Sequence, residues 1–427
     1  MVPSKSFSTL WFERRNVVYH GLAYFFNRGL PFVASLLIAR FLALDDFGRY
    51  ITVISFFVSL CLIVDMGFAL AATSTVARRA NANGEATARA LLATLCTCSL
   101  MGTVMALGVL AWAEQIARWA FNDASMQGLV LAGTIYVPAS ALASTTTAAL
   151  QGAQQYRAIA IAGLIGGAIF LAMAVGAAIF GNSLLVIWAA AFGTAARALA
   201  LLVAAAPILR QVRWGQGVFA QIRTDLRELW RVALPASLAA LTFAPVNSIM
   251  MSVLYRAPNG AAEAGSLGLA MQFFSIVMIA PGMLTQYALP KLSAMSGNRA
   301  MVRRKVQLKR FVTLAFAACL IIAAPIAIAA PSLLDQFGSG YSDAAPAIRW
   351  MMLAALIAAP QGVFSNFLIA VSRDWFRVMT RYLWAGVILS AVFIASIDSA
   401  QNMALIYACA WAAVLSVQIY IISRAKD

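Results

Sequence analysis

Two arginines lie within long apolar stretches of the sequence. Arg28 follows Asn27 near the middle of the first stretch, and Arg197 lies among alanines in the sixth. A charged side chain at the centre of a bilayer costs about 2.5–3.5 kcal/mol or more, so it should face a cavity or a partner. Because a planar guanidinium matches phosphate oxygens with paired hydrogen bonds, these residues predict a site for an anionic group. The alternative is that each arginine is held in an internal ion pair or extends toward the membrane surface.

Asp65 is the only acidic residue well inside an apolar stretch. One interpretation is that it neutralises Arg28 or an arginine of a nearby connection. The other is that it binds a proton or a sodium ion, which would couple transport to an ion gradient. Both interpretations remain open from the sequence.

The second half of the chain carries amide side chains in its apolar stretches instead of charges. Amides can hydrogen-bond the hydroxyl groups of a sugar, but neighbouring membrane helices use the same groups to pack. The candidates for substrate contact in this half are Asn247, Gln272 and Asn366.

The composition excludes a soluble protein. Of the 427 residues 63% are hydrophobic and 11% are charged, whereas a soluble domain carries about 25% charged residues. The apolar residues fall in stretches of about 18–25, each long enough to cross a bilayer as a helix. We therefore predict an all-α integral membrane protein with about twelve transmembrane helices. The predicted spans are 17–39, 50–72, 88–112, 126–148, 157–180, 183–208, 232–254, 266–289, 310–330, 346–370, 378–397 and 402–423.

The positive charges are distributed unevenly between the two sides of the predicted membrane. With the N-terminus inside, 24 of the 31 Lys and Arg residues fall in cytoplasmic segments and five in outer segments. Basic residues concentrate in cytoplasmic connections, so both termini are predicted to be cytoplasmic. The net charge of +16 is thus explained by topology and by contact with membrane lipids, and it indicates no nucleic-acid partner.

The sequence gives no indication of an enzyme. It has one histidine and no cluster of Cys, His and acidic residues, so no metal site and no catalytic set are predicted. It lacks a phosphate-binding loop of the G-x-x-x-x-G-K-[ST] type, so no nucleotide cofactor is expected. We expect a transporter without cofactors, with a proton or sodium gradient as a possible energy source.

The two halves of the chain are related. Gly48 is followed after eight residues by Phe56-Phe57, and Gly265 is followed after eight residues by Phe273-Phe274. Since six spans return the chain to its starting side, such repeats are parallel and related by an axis along the membrane normal. Between them, the spacing of apolar residues in Val218–Trp230 predicts an amphipathic helix on the inner leaflet. The predicted domains are a six-helix lobe at 1–208, a cytoplasmic linker at 209–231 and a second six-helix lobe at 232–427.

Three sequence elements together resemble a known family. They are the segment from Arg40 to Tyr50, the run Asp65-Met66-Gly67, and Leu150-Gln151-Gly152 followed by Tyr156-Arg157. They are similar to elements of the Wzx-type polysaccharide flippases of the multidrug/oligosaccharidyl-lipid/polysaccharide exporter (MOP) superfamily. The resemblance implies two six-helix lobes that form a V-shaped central cavity, which is often cationic, and transport by alternating access.

The resemblance also implies a substrate and a location. Such proteins carry a polyprenyl-diphosphate-linked oligosaccharide from the inner to the outer leaflet of the bacterial cytoplasmic membrane, for O-antigen or exopolysaccharide assembly. Arg28 and Arg197, beside Asn27, would hold the diphosphate or acidic sugars, and the amides of the second half would hold neutral sugars. A polysaccharide polymerase and a chain-length regulator are the expected protein partners.

Two other functions are compatible with parts of the sequence. A cation-coupled exporter of drugs or metabolites would share the superfamily, but a positively charged cavity would repel cationic drugs. A membrane enzyme such as a polymerase or an acyltransferase would need a convergent catalytic set, which the sequence does not offer.

Overall fold

The computed structural model describes residues 7–65, 67–79, 84–212, 218–240, 242–293, 300–338, 340–370, 374–395 and 397–424. Within these ranges the chain forms eighteen α-helices and two short 3-10 turns, and no strand. The helices are α1 (Phe7–Phe41), α2 (Leu44–Asp65), α3 (Phe68–Arg79), α4 (Gly84–Ala111), α5 (Ala113–Ala120), α6 (Gln127–Gly133), α7 (Tyr136–Gly152), α8 (Tyr156–Ile179), α9 (Ser183–Leu209), α10 (Val218–Ala240), α11 (Phe243–Tyr255), α12 (Gly260–Val277), α13 (Ile279–Ser293), α14 (Ala300–Leu334), α15 (Ala345–Ala358), α16 (Gln361–Ala370), α17 (Asp374–Ile394) and α18 (Ala400–Ser423).

In the described part of the chain, nine helical segments are long and apolar enough to cross a membrane. A tenth results if Gly260–Val277 and Ile279–Thr285, which meet at an angle of 41°, form one bent span. The shorter apolar helices Phe243–Tyr255 and Val378–Ile394 lie where the seventh and eleventh spans are predicted. The predicted all-α membrane fold is confirmed, and twelve spans account for these segments.

The predicted seventh span, 232–254, is not one continuous helix. Helix α10 runs from the linker to Ala240, and α11 begins at Phe243 with Pro245 in its first turn. Proline has no backbone N–H to donate, and its ring collides with the carbonyl group four residues earlier. A continuous helix is therefore interrupted before Pro245, and the linker helix includes the beginning of the predicted span.

The helices form two compact units. The first contains Met1–Phe41 and Val53–Ala244, and the second contains Leu42–Thr52 and Pro245–Asp427. The division falls inside α2, whose first turns pack with the second unit. The lobe limits at 208 and 232 stay a prediction, because packing alone does not define which residues move together.

The cores of the two units are built from different types of side chain. In the first unit α8 packs against α1 and α9, and α7 packs against α4 and α9, around Leu91, Leu150 and Leu201. Alanines fill most of the remaining core positions. Small residues let membrane helices approach closely, and the resulting van der Waals contacts replace the hydrophobic effect that lipid does not supply. In the second unit larger aromatic side chains, among them Phe311 and Phe367, fill the core between α14 and α16.

The linker helix α10 is bound to the first unit by ion pairs. Asp225 is only 7% exposed, and its Oδ1 atom lies 2.8 Å from Nη1 of Arg79. Its second oxygen lies 3.7 Å from Nε of Arg89, and Glu228 pairs with Nη2 of Arg79 at 2.5 Å. Further along α10, Trp230 packs edge-to-face on Phe68 with ring centroids 4.8 Å apart.

These contacts define the packing of the linker helix. The amphipathic helix exists, and its Asp225, Glu228 and Trp230 side chains contact α3 and α4, while its position on the inner leaflet stays a prediction. Burial disfavours the charge on Arg79, yet the hydrogen bond from Arg79 to Asp225 and the charges of both carboxylates outweigh it and raise the pKa of Arg79. The ion pairs therefore stabilise the charged form of Arg79 and hold α10 against α3 and α4.

We expect Asp225→Ala to lower the thermal stability of the protein in detergent. Removing one partner of a buried ion pair costs about 3–5 kcal/mol, and the lower end applies because Arg79 and Arg89 are still 22% and 15% exposed. Glu228→Gln is the matched control, since Glu228 is 43% exposed and such pairs contribute below about 1 kcal/mol. Equal shifts of the unfolding temperature in the two variants would contradict the importance of Asp225.

Candidate functional site

A cavity of about 150 Å³ lies inside the first unit. Four helices, α1, α7, α8 and α9, form its wall. Two of the lining side chains, Arg28 and Arg197, are arginines that lie far apart in the sequence. The lining residues are Ala23, Tyr24, Asn27 and Arg28 of α1, Thr147 and Gln151 of α7, Tyr156 and Ile159 of α8, and Arg197 of α9.

Glycines on α8 bring the two arginine-bearing helices together. On one side, a Cβ atom built on Gly163 would lie 3.1 Å from Oδ1 of Asn27, so α1 approaches the backbone of α8 closely. On the other side, a Cβ on Gly166 would lie 2.5 Å from Cβ of Arg197 and 2.7 Å from the carbonyl oxygen of Gly193. Because α8 has no side chains at these positions, α1 and α9 can both line one cavity.

Arg197 is largely buried and incompletely hydrogen-bonded. Its Nη2 atom donates to Oγ1 of Thr147 at 3.3 Å, while its Nε atom is buried without a hydrogen-bond partner among the described residues. A buried donor that lacks a partner costs about 1–3 kcal/mol, and more when it is charged. Arg197 therefore places a positive charge at the wall of the cavity while its Nε atom stays unpaired.

Arg28 and its neighbour Asn27 complete the polar wall. The Arg28 guanidinium lies 5.9 Å from the centroid of the Tyr24 ring, within the range of a cation–π contact. Asn27 donates from Nδ2 to the carbonyl oxygen of Ala23 at 2.7 Å, and its Oδ1 atom is buried without a partner in the described part of the chain. Among the described side chains, neither Arg28 nor Arg197 forms an ion pair. The cavity is thus lined by two positive charges, and a buried, unpaired amide oxygen lies beside it.

Asp65 lies outside this cavity and does not pair with Arg28 among the described side chains. It is the last residue of α2, and its Oδ1 atom accepts a hydrogen bond from the backbone N–H of Ala69 at 3.1 Å. Gly67, with φ of +74°, separates the two helices. The predicted continuous span 50–72 is therefore wrong at this point. Asp65 caps the following helix, and its role in cation coupling stays a prediction.

The three amides of the second half lie in the second unit. Asn366 is 8% exposed and donates from Nδ2 to the carbonyl oxygen of Thr285 at 2.6 Å, which joins α16 to α13. Asn247 on α11 and Gln272 on α12 are half-buried. The contact of Asn366 is of the kind that packs helices, so its predicted contact with sugar stays a prediction.

Sequence reasoning missed the roles of four polar residues of the cavity, Tyr24, Thr147, Gln151 and Tyr156. Gln151 and Tyr156 belong to the third family-like element, but that element did not indicate that they line the same cavity as Arg28 and Arg197. Thr147 ends the run Ser144-Thr145-Thr146-Thr147, and nothing in this run distinguishes it from its neighbours. The described residues also contain no group of three or more His, Cys, Asp and Glu side chains that could hold a metal ion.

A cavity lined by arginines among long apolar helices is typical of a membrane transporter. The chain belongs to the family described as polysaccharide biosynthesis protein, whose model matches residues 14–296. It is 23% identical over 372 residues to the EPS I polysaccharide export inner membrane protein EpsE of Ralstonia nicotianae, and the match covers 86% of this chain and 84% of that protein.

Two solved structures share the fold. A multidrug resistance MATE family transporter of the MOP superfamily, in an inward-facing conformation, has a TM-score of 0.76 at 13% identity, and the match covers 96% of this chain and 98% of that one. The lipid II flippase MurJ, in an inward closed conformation, has a TM-score of 0.73 at 11% identity, with 95% and 87% covered. Family and fold confirm the resemblance to polysaccharide flippases and class the chain as a multi-pass membrane transporter, not an enzyme.

We expect Gly166→Ala to destabilise the protein, because its new methyl group would collide with Arg197 and with the backbone of Gly193. Overpacking of this kind costs about 1–3 kcal/mol. Gly176 lies on the same helix with nothing within 4 Å of a built Cβ atom, so Gly176→Ala should leave the unfolding temperature unchanged or slightly raised. Thermal unfolding in detergent measures both variants. A tolerated Gly166→Ala would show that α9 can move without cost.

Proposed function

We propose that the protein translocates a polyprenyl-diphosphate-linked oligosaccharide from the inner to the outer leaflet of the bacterial cytoplasmic membrane by alternating access. The product is used for surface polysaccharide assembly. The single observation that carries this proposal is the convergence of Arg28 and Arg197 on one cavity in a chain of the polysaccharide biosynthesis family.

The charge of the cavity favours an anionic substrate. Its lining contains two arginines and no acidic residue among the described side chains. Two guanidinium groups that face the same small space repel each other, and an anion between them removes that repulsion. A diphosphate also offers oxygens for paired hydrogen bonds from each planar guanidinium.

The size of the cavity favours one anionic group over a whole oligosaccharide. Pockets for complete small-molecule ligands have volumes of about 300–1,000 Å³, whereas this cavity has about 150 Å³. It can hold the diphosphate or an acidic sugar group while the remaining sugars lie elsewhere. The amide of Gln151, which lines the cavity, can bind hydroxyl groups of the adjoining sugar.

The lipid-linked nature of the substrate follows from the cost of moving its head group. Sugar hydroxyls and a diphosphate cannot enter hydrocarbon without losing their hydrogen bonds, so their passage needs a polar path through protein. The prenyl tail has no such cost and can stay in the bilayer. The EpsE relative is named as an inner membrane protein for polysaccharide export, which supports the same location for this chain. Both termini are then cytoplasmic, and a polymerase and a chain-length regulator are the expected partners.

A cation-coupled multidrug exporter is the alternative, since a MATE transporter shares the fold. The composition of the cavity argues against it. A cationic drug would meet two arginines and, among the described lining residues, no carboxylate.

Substitution of the two arginines tests the proposal. In a host that lacks its own copy, Arg28→Ala and Arg197→Ala should lower surface polysaccharide by about tenfold to a hundredfold, because each loses charge-assisted hydrogen bonds worth about 1.5–3 kcal/mol. Arg28→Lys should be impaired less, since it keeps the charge and loses the planar fork. Immunoblots of the membrane fraction show whether each variant is present.

Arg210→Ala is the matched control, because Arg210 is an exposed arginine directly after α9 that does not line the cavity. With purified protein, inorganic diphosphate should raise the unfolding temperature of the wild type and of Arg210→Ala, but not of Arg28→Ala or Arg197→Ala. Normal surface polysaccharide from Arg197→Ala would overturn the proposed role of the cavity.

Asp65→Asn tests coupling to a proton or sodium gradient. The asparagine keeps an oxygen that can accept from Ala69, so the cap of α3 is preserved while the charge is lost. If Asp65 carries the driving cation, surface polysaccharide should fall to background at an unchanged unfolding temperature, because each charge moved across 100 mV supplies about 2.3 kcal/mol. Normal polysaccharide from this variant would leave Asp65 with a capping role alone.

A further inference from the structure

The short helix α5 of the first unit carries two strongly exposed tryptophans. Trp112, which directly precedes the helix, is 61% exposed, and Trp119 near its end is 80% exposed. The half-buried Ile116 donates from its backbone N–H to the carbonyl oxygen of Trp112 at 2.8 Å, so the helical turn includes Trp112. These three residues are four and three positions apart and therefore share one face of the helix. Because tryptophan is highly buried on average, this exposed apolar face indicates a binding surface.

The rest of α5 consists of a buried face and a charged face. Ala113 and Ala117 are buried, and the helix packs against α6. Glu114 and Arg118 are exposed and form an ion pair, in which Oε1 and Nη2 are 2.6 Å apart. The helix thus has one face for the protein, one face for water and one apolar face that stays exposed.

The end of α5 fixes this orientation. Asn122 has a φ of +56°, a left-handed conformation that commonly ends helices, and its N–H donates to the carbonyl oxygen of Arg118 at 3.1 Å. The buried ring of Phe121 packs edge-to-face on Phe56 of α2, with centroids 5.9 Å apart. A rotation of α5 that buried Trp119 would pull Phe121 out of the core. The exposure of Trp119 is therefore built into the packing of the first unit.

The neighbouring helices place α5 at the edge of the membrane. Helix α4, which α5 follows directly, is long and apolar enough to span the membrane, and Leu100, Val104 and Leu107 are exposed along it. Leu110 is also exposed, so apolar exposure continues from α4 into α5. On its buried side α5 packs against the 3-10 turn Ala124–Met126, with which the next apolar span begins. Helix α5 therefore lies where one span ends and the next begins, which the topology predicted from the positive charges places on the outer side.

The second half of the chain has an equivalent segment without this apolar face. The described chain has one 3-10 turn before α6 and another before α15. Counted back from these turns, Leu334 is equivalent to Ile116. Phe337 is equivalent to Trp119 in the same way. Leu334 is completely buried, and the Phe337 ring packs on Tyr341 with centroids 5.9 Å apart. The fold therefore does not require exposed apolar side chains at this position.

We propose that Trp112, Ile116 and Trp119 form a surface that binds the phospholipids of the outer leaflet at the level of their head groups. Tryptophan is enriched at membrane–water boundaries, because its ring is apolar and its indole N–H can donate to a polar group. The ion pair on the charged face stays in water, as in other amphipathic helices that lie at this boundary. The proposal needs only that the chain is a membrane protein, and it does not depend on a lipid-linked substrate.

Site-specific photocrosslinking tests which molecules contact this face. The photoreactive amino acid p-benzoylphenylalanine, introduced in place of Trp119 in the full chain by amber suppression, should form adducts with phospholipids when membranes are irradiated. The same replacement at Glu114 is the matched control, because Glu114 is exposed on the charged face of the same helix. Mass spectrometry of the purified protein should show at least tenfold more lipid adduct from position 119 than from position 114.

The products of irradiation distinguish between possible surroundings of α5. Lipid adducts concentrated at position 119 support the proposal. Adducts that join position 119 to a second copy of the chain or to another protein would show that the face is a protein interface and would overturn it. Equal lipid yields at the two positions would also overturn it, because the face would then have no preference for lipid.

Labelling from outside tests the leaflet. The thiol of Glu114→Cys should react with a membrane-impermeant maleimide added to intact spheroplasts, because the charged face of α5 is expected to meet water on the outer side. The wild type, whose five native cysteines lie within apolar stretches, is the control and should stay unlabelled. Labelling of Glu114→Cys only after lysis would place α5 on the cytoplasmic side and overturn the proposed contact with the outer leaflet.

Discussion

Two arginines that face one small cavity, without a carboxylate partner among the described residues, are the constraint on which the first unit depends. Arg197 donates to Thr147, and part of its donor capacity is unused. A buried charged donor without a partner is costly, so the arrangement is stabilised by any group that supplies the opposite charge. On the function proposed above, the anionic head group of the substrate would supply that charge.

The glycines of α8 show how the fold supports this constraint. A membrane helix bundle gains little from the hydrophobic effect, so close contact between backbones must supply the stability. Gly163 and Gly166 allow such contact with α1 and α9 on two sides of α8. The same contact fixes the positions from which the side chains of Asn27 and Arg197 reach the cavity. The stability of the first unit and the geometry of its cavity therefore both depend on the glycines of α8, which have no side chains.

Sequence reasoning identifies the charged residues of the cavity but not its complete wall. The cost of burying a charge singles out Arg28 and Arg197 in any apolar stretch, whatever the fold. Thr147 carries no such cost, because a hydroxyl in a membrane helix can bond its own backbone. The break after Asp65 escapes prediction for a related reason. Apolar residues continue through α3, and a lone glycine such as Gly67 is common in transmembrane helices. Its left-handed backbone, which ends the helix, is visible only in three dimensions.

The two repeats have kept equivalent glycines, Gly48 and Gly265, whose backbones are in contact, but they have lost their chemical equivalence. The offset that aligns Gly48 with Gly265 places Pro245 at the position of Arg28 and Val414 at that of Arg197, so the second half has no counterpart of either charge. The two glycines cannot diverge in the same way, because each must accommodate the backbone of the other. The pair of arginines that lines one cavity is therefore a feature of the first half alone. On the function proposed above, a substrate with one charged end and one neutral end would suit such a division.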